Sequence, residues 1–182
     1  DRGVRMTANP DGHIDPTAPV LRVDGADGSP RAVLFACACH NTTLTGRHYE
    51  LSGDYAGFAQ GHVEEQLPGV QAMFLIGCGG DANPHPRGKT EHARAHGKEL
   101  GAEVCRVAGG KLRPVDGPLR TVLGEAAAPL QPIPSREELE KLVEGPGYLR
   151  HNYERMLEAV DRGVPLLKQY DVPIAVWQLG DD

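Results

Sequence analysis

The amino-acid sequence predicts an α/β fold in which a layered mixed sheet is flanked by helices. Short apolar runs of strand length alternate along the chain with segments whose apolar residues recur at helical spacing. Residues 70–76 are apolar almost throughout, as in a strand that is buried on both faces. The chain also contains 23 glycines and 15 prolines, which favour many turns between short elements.

The first part of the chain is predicted to combine a β-hairpin with two strand-to-helix connections. A turn rich in Asp, Gly, Ser and Pro separates two β-forming apolar runs. Helical periodicity follows, and Pro68 and Gly69 end that helix. In order, the predicted elements are strands at residues 20–23 and 31–39, a helix at 54–67, a strand at 70–76, a loop at 77–88 and a helix at about 89–107.

The second part is predicted to contain two strands and a helical hairpin between them. Strands are expected at residues 119–128 and 172–179. Ser135 with Glu138 forms a capping-box pattern, in which each side chain satisfies an orphan backbone amide at a helix start. Because both helices are polar, we expect residues 133–165 to lie on the surface.

The length and the ends of the chain indicate one domain that is part of a longer polypeptide. The chain has 182 residues, enough for a single domain over residues 1–182 with its own core. It starts at Asp1 without a signal peptide, and the last predicted strand is followed by turn residues with no returning strand. We therefore expect an incomplete sheet, and the remainder of the same polypeptide as its partner.

Composition excludes several classes of protein. Apolar residues make up 40% of the chain, which is typical of a globular protein. With 19 Lys and Arg against 25 Asp and Glu, the net charge of −6 disfavours a nucleic-acid partner. No apolar run approaches the ~20 residues of a transmembrane segment. The four cysteines are expected to be small core residues, and a disulfide remains open.

His40 is the first candidate functional residue, because it ends the second predicted strand. Strand alternation puts it on the face of Leu34, Ala36 and Ala38. Open α/β sheets place ligands outside the carboxyl ends of their strands, and imidazole is the commonest metal ligand. The position favours a metal-binding or catalytic histidine, and the alternative is a rim histidine bonded to a backbone carbonyl.

A second candidate is the loop at residues 77–84, Gly-Cys-Gly-Gly-Asp-Ala-Asn-Pro, which directly follows the apolar strand. Its glycines allow a sharp turn and a close approach to a ligand. Asp81 and Asn83 place polar groups at the same crevice. The alternative is an ordinary strand-to-helix connection.

Two further patterns are weaker. Residues 88–90, Gly-Lys-Thr, match the end of a phosphate-binding loop, but Asn83 stands where that motif needs a glycine. His92 and His96 are spaced four apart on a predicted helix, without the intervening Glu of the zinc-protease motif. We expect these histidines on a solvated helix face.

Three motifs occur in a fixed order: Ala-Cys-His-Asn-Thr-Thr at 38–43, Leu-Ser-Gly-Asp-Tyr-Ala-Gly-Phe-Ala at 51–59 and Gly-Gly-Asp-Ala-Asn-Pro at 79–84. In order and local spacing, this series resembles the neutral/alkaline (non-lysosomal) ceramidase family over about residues 20–84. That family has a His followed by small hydroxyl residues, then a Ser-x-Asp-x-x-Gly-aromatic-Ala helix start and a Gly-Asp-x-Ser-Pro loop. The chain is thus identified as an internal piece of the N-terminal catalytic domain of a bacterial member.

The resemblance implies a secreted or periplasmic zinc-dependent hydrolase with a small-molecule or lipid amide substrate, ceramide-like or another N-acyl compound. It assigns His40 as a zinc ligand, while the family's other ligands, an upstream His and a downstream Glu and Tyr, have no match in this chain. The family has an essential Ser where Asn83 stands, and Asn cannot act as a hydroxyl nucleophile. Asn83, with Asp81 in the same loop, is expected to position the amide or stabilise an oxyanion.

Two other functions stay open at this point. One is a non-catalytic ceramidase-like binding module, and the less favoured one is a nucleotide-binding α/β protein. The chain alone is predicted to be inactive, because one histidine cannot replace the three protein ligands of a catalytic zinc. We also predict that His40 and Asn83 lie close together at one edge of the sheet.

Overall fold

The computed structural model describes residues 7–9, 11–145 and 147–180, which fall into two compact units, one within residues 1–113 and one within 114–182. The first unit contains strands β1 and β2, helix α1, strand β3 and helix α2, and the second contains β4, α3, a short 3-10 helix, α4 and β5. In that order their bounds are Val20–Asp24, Pro30–Cys37, Asp54–Gln66, Gln71–Ile76, Thr90–Ala108, Leu119–Pro129, Arg136–Val143, Gly147–Leu149, Arg150–Asp161 and Gln169–Leu179.

The sheet of the first unit is mixed, and this confirms the predicted fold class. Its strand order is β1-β2-β3, with β1 antiparallel to β2 and β2 parallel to β3. Val33 lies opposite Ala72 in the parallel pair. Parallel strands need a long crossover connection, which is usually a helix, and α1 supplies it between β2 and β3.

Helices α1 and α2 cover one face of this sheet and form its core. Val33 and Phe35 from β2 are buried against Ala59 and Val63 from α1, and Phe35 meets Phe74 edge to face at 5.6 Å between ring centroids. Burial of each large apolar side chain stabilises the fold by roughly 1.5–3 kcal/mol. This face therefore carries the hydrophobic stabilisation of the unit.

The two helices approach each other closely because α2 presents glycine to α1. A Cβ atom at Gly97 would lie 2.4 Å from the Cβ of Phe58 and 2.6 Å from the carbonyl oxygen of Tyr55. No side chain fits at such a distance. The helix crossing, and with it the position of the start of α1, depends on this glycine.

The opposite face of the sheet is open among the described residues. Met73 and Leu75 of β3 are 40% and 47% exposed. Ala72, which belongs to the core beneath the helices, is fully buried. The prediction that this strand is buried on both faces is wrong for the described structure, because both helices pack on the same side. The apolar residues of this run therefore alternate between the face that the helices cover and the face that they leave open.

The second unit pairs β4 with β5 as a long antiparallel ribbon, from Leu119 opposite Leu179 to Pro129 opposite Gln169. Between these strands, α3 and α4 pack against each other and Leu139 is fully buried. The predicted capping box is confirmed, since Ser135 Oγ accepts from the Glu138 amide at 3.3 Å. The assignment of residues 1–182 to one domain, with a surface hairpin at 133–165, stays a prediction.

Two smaller differences from the predictions concern β2 and the cysteines. Strand β2 ends at Cys37, because the chain then leaves the ladder to meet the loop after β3. All four cysteines are free, and Cys78 is exposed, which corrects its prediction as a core residue. No helix within the described ranges is long and apolar enough to cross a membrane.

Candidate functional site

The candidate site lies where the chain leaves the parallel strands β2 and β3. The Gly77 amide donates to the Cys37 carbonyl at 2.9 Å, and the His40 amide donates to the Ala82 carbonyl at 2.9 Å. The two segments that follow the strands therefore run side by side beyond the end of the sheet. Such an edge is the common ligand position in open α/β sheets.

Close contact between these two segments depends on Gly79, which is buried. A Cβ atom at Gly79 would lie 2.4 Å from the Cys39 nitrogen and 2.5 Å from the Ala38 carbonyl carbon. Both neighbours are backbone atoms, so neither can rotate away. The glycine-rich character of this loop thus has a steric cause, the approach of one backbone to another.

His40 is half-buried and its imidazole contacts the glycine loop. Its Nε2 atom lies 3.3 Å from the carbonyl oxygen of Gly80, and its own carbonyl accepts from the Thr42 amide at 2.9 Å. Because a carbonyl oxygen only accepts, Nε2 carries the proton in this contact. In the neutral ring, the lone pair is then on Nδ1, the atom that remains for a ligand.

Asn83 meets the segment that follows His40. The Thr42 hydroxyl donates to Asn83 Oδ1 at 2.8 Å. Asp81 is exposed, and its side chain makes no hydrogen bond with any residue that the structure describes. The prediction that His40 and Asn83 lie close together at one edge of the sheet is confirmed, while the roles of His40, Asp81 and Asn83 stay predictions.

Asp54 was not predicted as part of the site, although it holds the segment after His40 in place. The residue is only 6% exposed, and its carboxylate accepts from the amides of Thr43 at 3.2 Å, Leu44 at 2.7 Å and Tyr55 at 2.6 Å. Asp54 has a φ of +52°, a left-handed conformation that Asp tolerates better than most residues. The Ser-x-Asp pattern at the helix start was the available signal.

A pocket lies next to this edge of the sheet. Its lining includes Cys37, Cys39, Tyr55 and Pro84 of the candidate loop, but neither His40 nor Asn83. Burial raises the pKa of both thiols and also that of the Tyr55 hydroxyl, which donates to the Cys39 carbonyl at 2.7 Å. These thiols are therefore protonated at neutral pH and are poor nucleophiles.

The residues of the described ranges do not make a complete metal site. No group of three or more His, Cys, Asp or Glu side chains among them is arranged to hold a metal ion. Catalytic zinc takes about three protein ligands. His40 can therefore be at most one ligand of a zinc site, and the described part of the chain does not fit the metal by itself.

The histidine pair on α2 is not on a solvated face, which corrects the prediction. His96 Nε2 lies 2.8 Å from the Pro86 carbonyl oxygen, and His92 Nδ1 is buried without a partner among the described residues. The loop before α2 thus contacts His96, and both histidines are half-buried.

The phosphate-loop pattern is not supported by the backbone. The Gly88 amide, which a phosphate would need, donates to the Thr43 carbonyl at 2.6 Å. A phosphate-binding loop requires free amides that point at the ligand. The structure therefore disfavours the nucleotide-binding alternative.

Comparison with known proteins finds similarity to ceramidases over part of this chain. Neutral ceramidase B from Dictyostelium discoideum is 32% identical over 88 residues, which are 44% of this chain and 12% of that protein. A solved ceramidase complexed with C2 is 25% identical, with a TM-score of 0.57 over 64% of this chain and 21% of its own. Over these matched stretches the chain is similar to neutral ceramidases, which supports the resemblance carried by its motifs.

A further solved structure is similar in fold. The crystal structure of neutral ceramidase from Pseudomonas aeruginosa aligns with 94% of this chain and 35% of its own, at a TM-score of 0.63 and 20% identity. No family model matches the sequence. The chain thus spans well under two thirds of the length of each of these ceramidases.

Proposed function

We propose that this ceramidase-like chain is part of a hydrolase that cleaves the amide bond of a ceramide-like or other N-acyl substrate. The observation that carries the proposal is the contact between the segments after β2 and β3, which brings His40 beside the Asn83 loop. The names of the relatives support the reaction class. We further propose that the rest of the active site comes from other parts of a longer polypeptide.

Asn83 and Asp81 are proposed to act on the substrate amide. The carboxamide of Asn83 can donate a hydrogen bond to the substrate carbonyl oxygen and so stabilise negative charge that develops there. Asp81 is exposed at the same loop and can accept from a polar group of the substrate. Neither residue acts as a covalent nucleophile in this proposal.

Zinc is proposed as the metal, with His40 as one of its ligands. The support is the position of His40 at the carboxyl end of β2, with a ring whose Nδ1 is left available. The other ligands would come from outside this chain. For the longer protein we also propose a bacterial source, a secreted or periplasmic location and a lipid amide as substrate.

A non-catalytic binding module is the second candidate, and one observation favours it. Asn83 stands in the loop where a serine would be expected of a ceramidase, and a carboxamide cannot act as a hydroxyl nucleophile. Turnover of an N-acyl amide by the longer polypeptide that contains this chain tests the two candidates. Hydrolysis supports the enzyme, and binding without hydrolysis supports the module.

The 182-residue chain alone is expected to retain no stoichiometric zinc and to hydrolyse no amide. A single histidine provides one of the three or so protein ligands that catalytic zinc needs. The measurement is elemental analysis after dialysis against a mild chelator, with the His40→Ala variant as the control that should hold as little zinc as the wild type. Stoichiometric zinc would contradict the expectation, and would direct attention to Cys37, Cys39, Cys78, His92 and His96.

The Asn83→Ser variant of the longer protein is expected to gain amidase activity on N-acyl sphingosine-like substrates through its new hydroxyl, while any activity that depends on the Asn83 carboxamide is lost. Serine supplies the missing hydroxyl in a glycine-rich frame, and a gain of about tenfold would correspond to ~1.4 kcal/mol of barrier. Because serine is smaller and Asn83 is exposed, stability should change by less than ~1 kcal/mol.

The measurement is turnover of a fluorogenic acyl amide at matched zinc. Asn41→Ser, an exposed substitution of the same type in the neighbouring turn, is the control and should change nothing. Loss of the native activity without any gain would show that the site was remade for another substrate. Ceramide hydrolysis by the wild type would show that Asn83 suffices.

A further inference from the structure

The carboxamide of Asn83 has a defined orientation. Its Oδ1 atom accepts a hydrogen bond from the Thr42 hydroxyl at 2.8 Å, between residues 41 positions apart in the sequence. The oxygen and the NH2 group of a carboxamide diverge from the same carbon, so a donor on Oδ1 turns the NH2 group away. No described residue accepts a hydrogen bond from Asn83 Nδ2, which leaves both of its protons available.

Thr42 is itself held by a rigid backbone. Its amide donates to the His40 carbonyl at 2.9 Å, and the next two amides, of Thr43 and Leu44, donate to the buried Asp54 carboxylate. The Thr43 carbonyl accepts from the Gly88 amide. Because threonine is β-branched, its χ1 angle is also restricted. The hydroxyl therefore occupies a position that the surrounding backbone determines.

We propose that Thr42 is a positioning residue, which orients the Asn83 carboxamide so that its NH2 group is the hydrogen-bond donor for the carbonyl oxygen of an amide substrate. The inference rests on the proposed amide hydrolysis. The hydroxyl of Thr42 is consumed as a donor to Asn83, so it neither attacks the substrate nor replaces the absent serine. Its contribution is to keep the NH2 group in one orientation before the substrate arrives.

This arrangement is chemically useful because donors that stabilise an oxyanion act best when they are already oriented. An exposed asparagine without such a partner samples several rotamers and both amide orientations. Thr42 removes that freedom, and the substrate then meets a donor that needs no reorganisation.

The orientation can be measured without any catalysis, on the 182-residue chain. We expect the Asn83 side-chain NH2 group to be ordered in the wild type, with an NMR order parameter near ~0.8, and to fall below about 0.6 in Thr42→Val. Thr42→Ser keeps the hydroxyl and should restore order. Thr45→Val, which changes another half-buried threonine of the same loop, is the matched control and should leave Asn83 unchanged. Equal order in the wild type and Thr42→Val would overturn the proposal.

The kinetic arm uses the longer protein and an N-acyl amide. Thr42→Val should lower kcat by roughly 10- to 100-fold with little change in KM, because the donor acts mainly in the transition state. Thr42→Ser should stay near the wild type. Asn83→Asp keeps the acceptor for Thr42 but loses the NH2 group, so its kcat should fall at least as far as that of Thr42→Val. A Thr42→Val enzyme with wild-type kcat would overturn the positioning role.

The two arms separate this inference from the proposed function. An inactive wild type with an ordered Asn83 would refute amide hydrolysis, and with it any catalytic purpose of the contact. An active wild type whose Asn83 is mobile would support hydrolysis and refute the role of Thr42. Both proposals are supported only if the wild-type enzyme is active and the Thr42→Val change lowers both the order parameter of the Asn83 NH2 group and kcat.

Discussion

Replacing Asp54 with alanine is expected to destabilise the first unit by about 3 kcal/mol or more. The change removes the acceptor of three amides, those of Thr43, Leu44 and Tyr55. Each buried amide left without a partner costs about 1–3 kcal/mol. Alanine must also adopt the left-handed conformation at φ +52° without the local side-chain hydrogen bonds by which Asp tolerates it, which adds to the loss.

Chemical unfolding of the purified chain gives this difference in free energy from the denaturant midpoints. Asp54→Asn is the matched control, since asparagine tolerates the left-handed conformation and keeps one carboxamide oxygen as acceptor, and it should lose less. Asp54→Gly removes the same acceptor but relieves the backbone, so it should be more stable than Asp54→Ala by ~1 kcal/mol. An alanine variant as stable as the wild type would show that water satisfies these amides.

Replacing Gly79 with alanine is expected to separate the two segments that carry the candidate site. The added Cβ would approach backbone atoms of Cys39 and Ala38 to 2.4 and 2.5 Å, so one backbone must move. Overpacking of this kind costs about 1–3 kcal/mol. The hydrogen bonds between His40 and Ala82 and between Thr42 and Asn83 should weaken with it, since they join the same segments.

Gly80→Ala provides a matched control one residue away. An added Cβ there meets no atom within 4 Å, so its free energy of unfolding should stay within about 0.5 kcal/mol of the wild type. The measurements are the denaturant midpoints of both variants and the NMR shift of the His40 amide. Equal midpoints and an unchanged shift in Gly79→Ala would show that the loop can accommodate the methyl group elsewhere.

The local elements of this protein could be predicted well because their causes are local. Helical spacing predicted α1 and α2 to within about two residues, and the Ser135 capping pattern predicted the start of α3. The turn between β1 and β2 was evident from its composition. The end of β2 could not be predicted. Cys37 is the last residue paired with β3, because the chain beyond it contacts the loop that follows β3.

The candidate site could be predicted only in outline. That His40 and Asn83 meet follows from a general rule, because the carboxyl ends of neighbouring parallel strands share one edge. The buried Asp54 clamp and the Thr42 contact were not foreseen, since each depends on how a loop closes in three dimensions. The α2 histidines were misplaced for the same reason, because a contact with a loop is not visible in helical spacing.

By itself, the sequence determined the order of strands and helices, the position of the candidate motifs at strand ends and the resemblance that the comparisons then supported. These properties depend on residues near one another in the chain. Only the tertiary structure decided that both helices cover the same face of the sheet, that Gly79 must lack a side chain and that Thr42 turns the Asn83 carboxamide. Such contacts join residues distant in sequence, and their distances are set by the packing of α1 and α2 on the sheet, which no local pattern encodes.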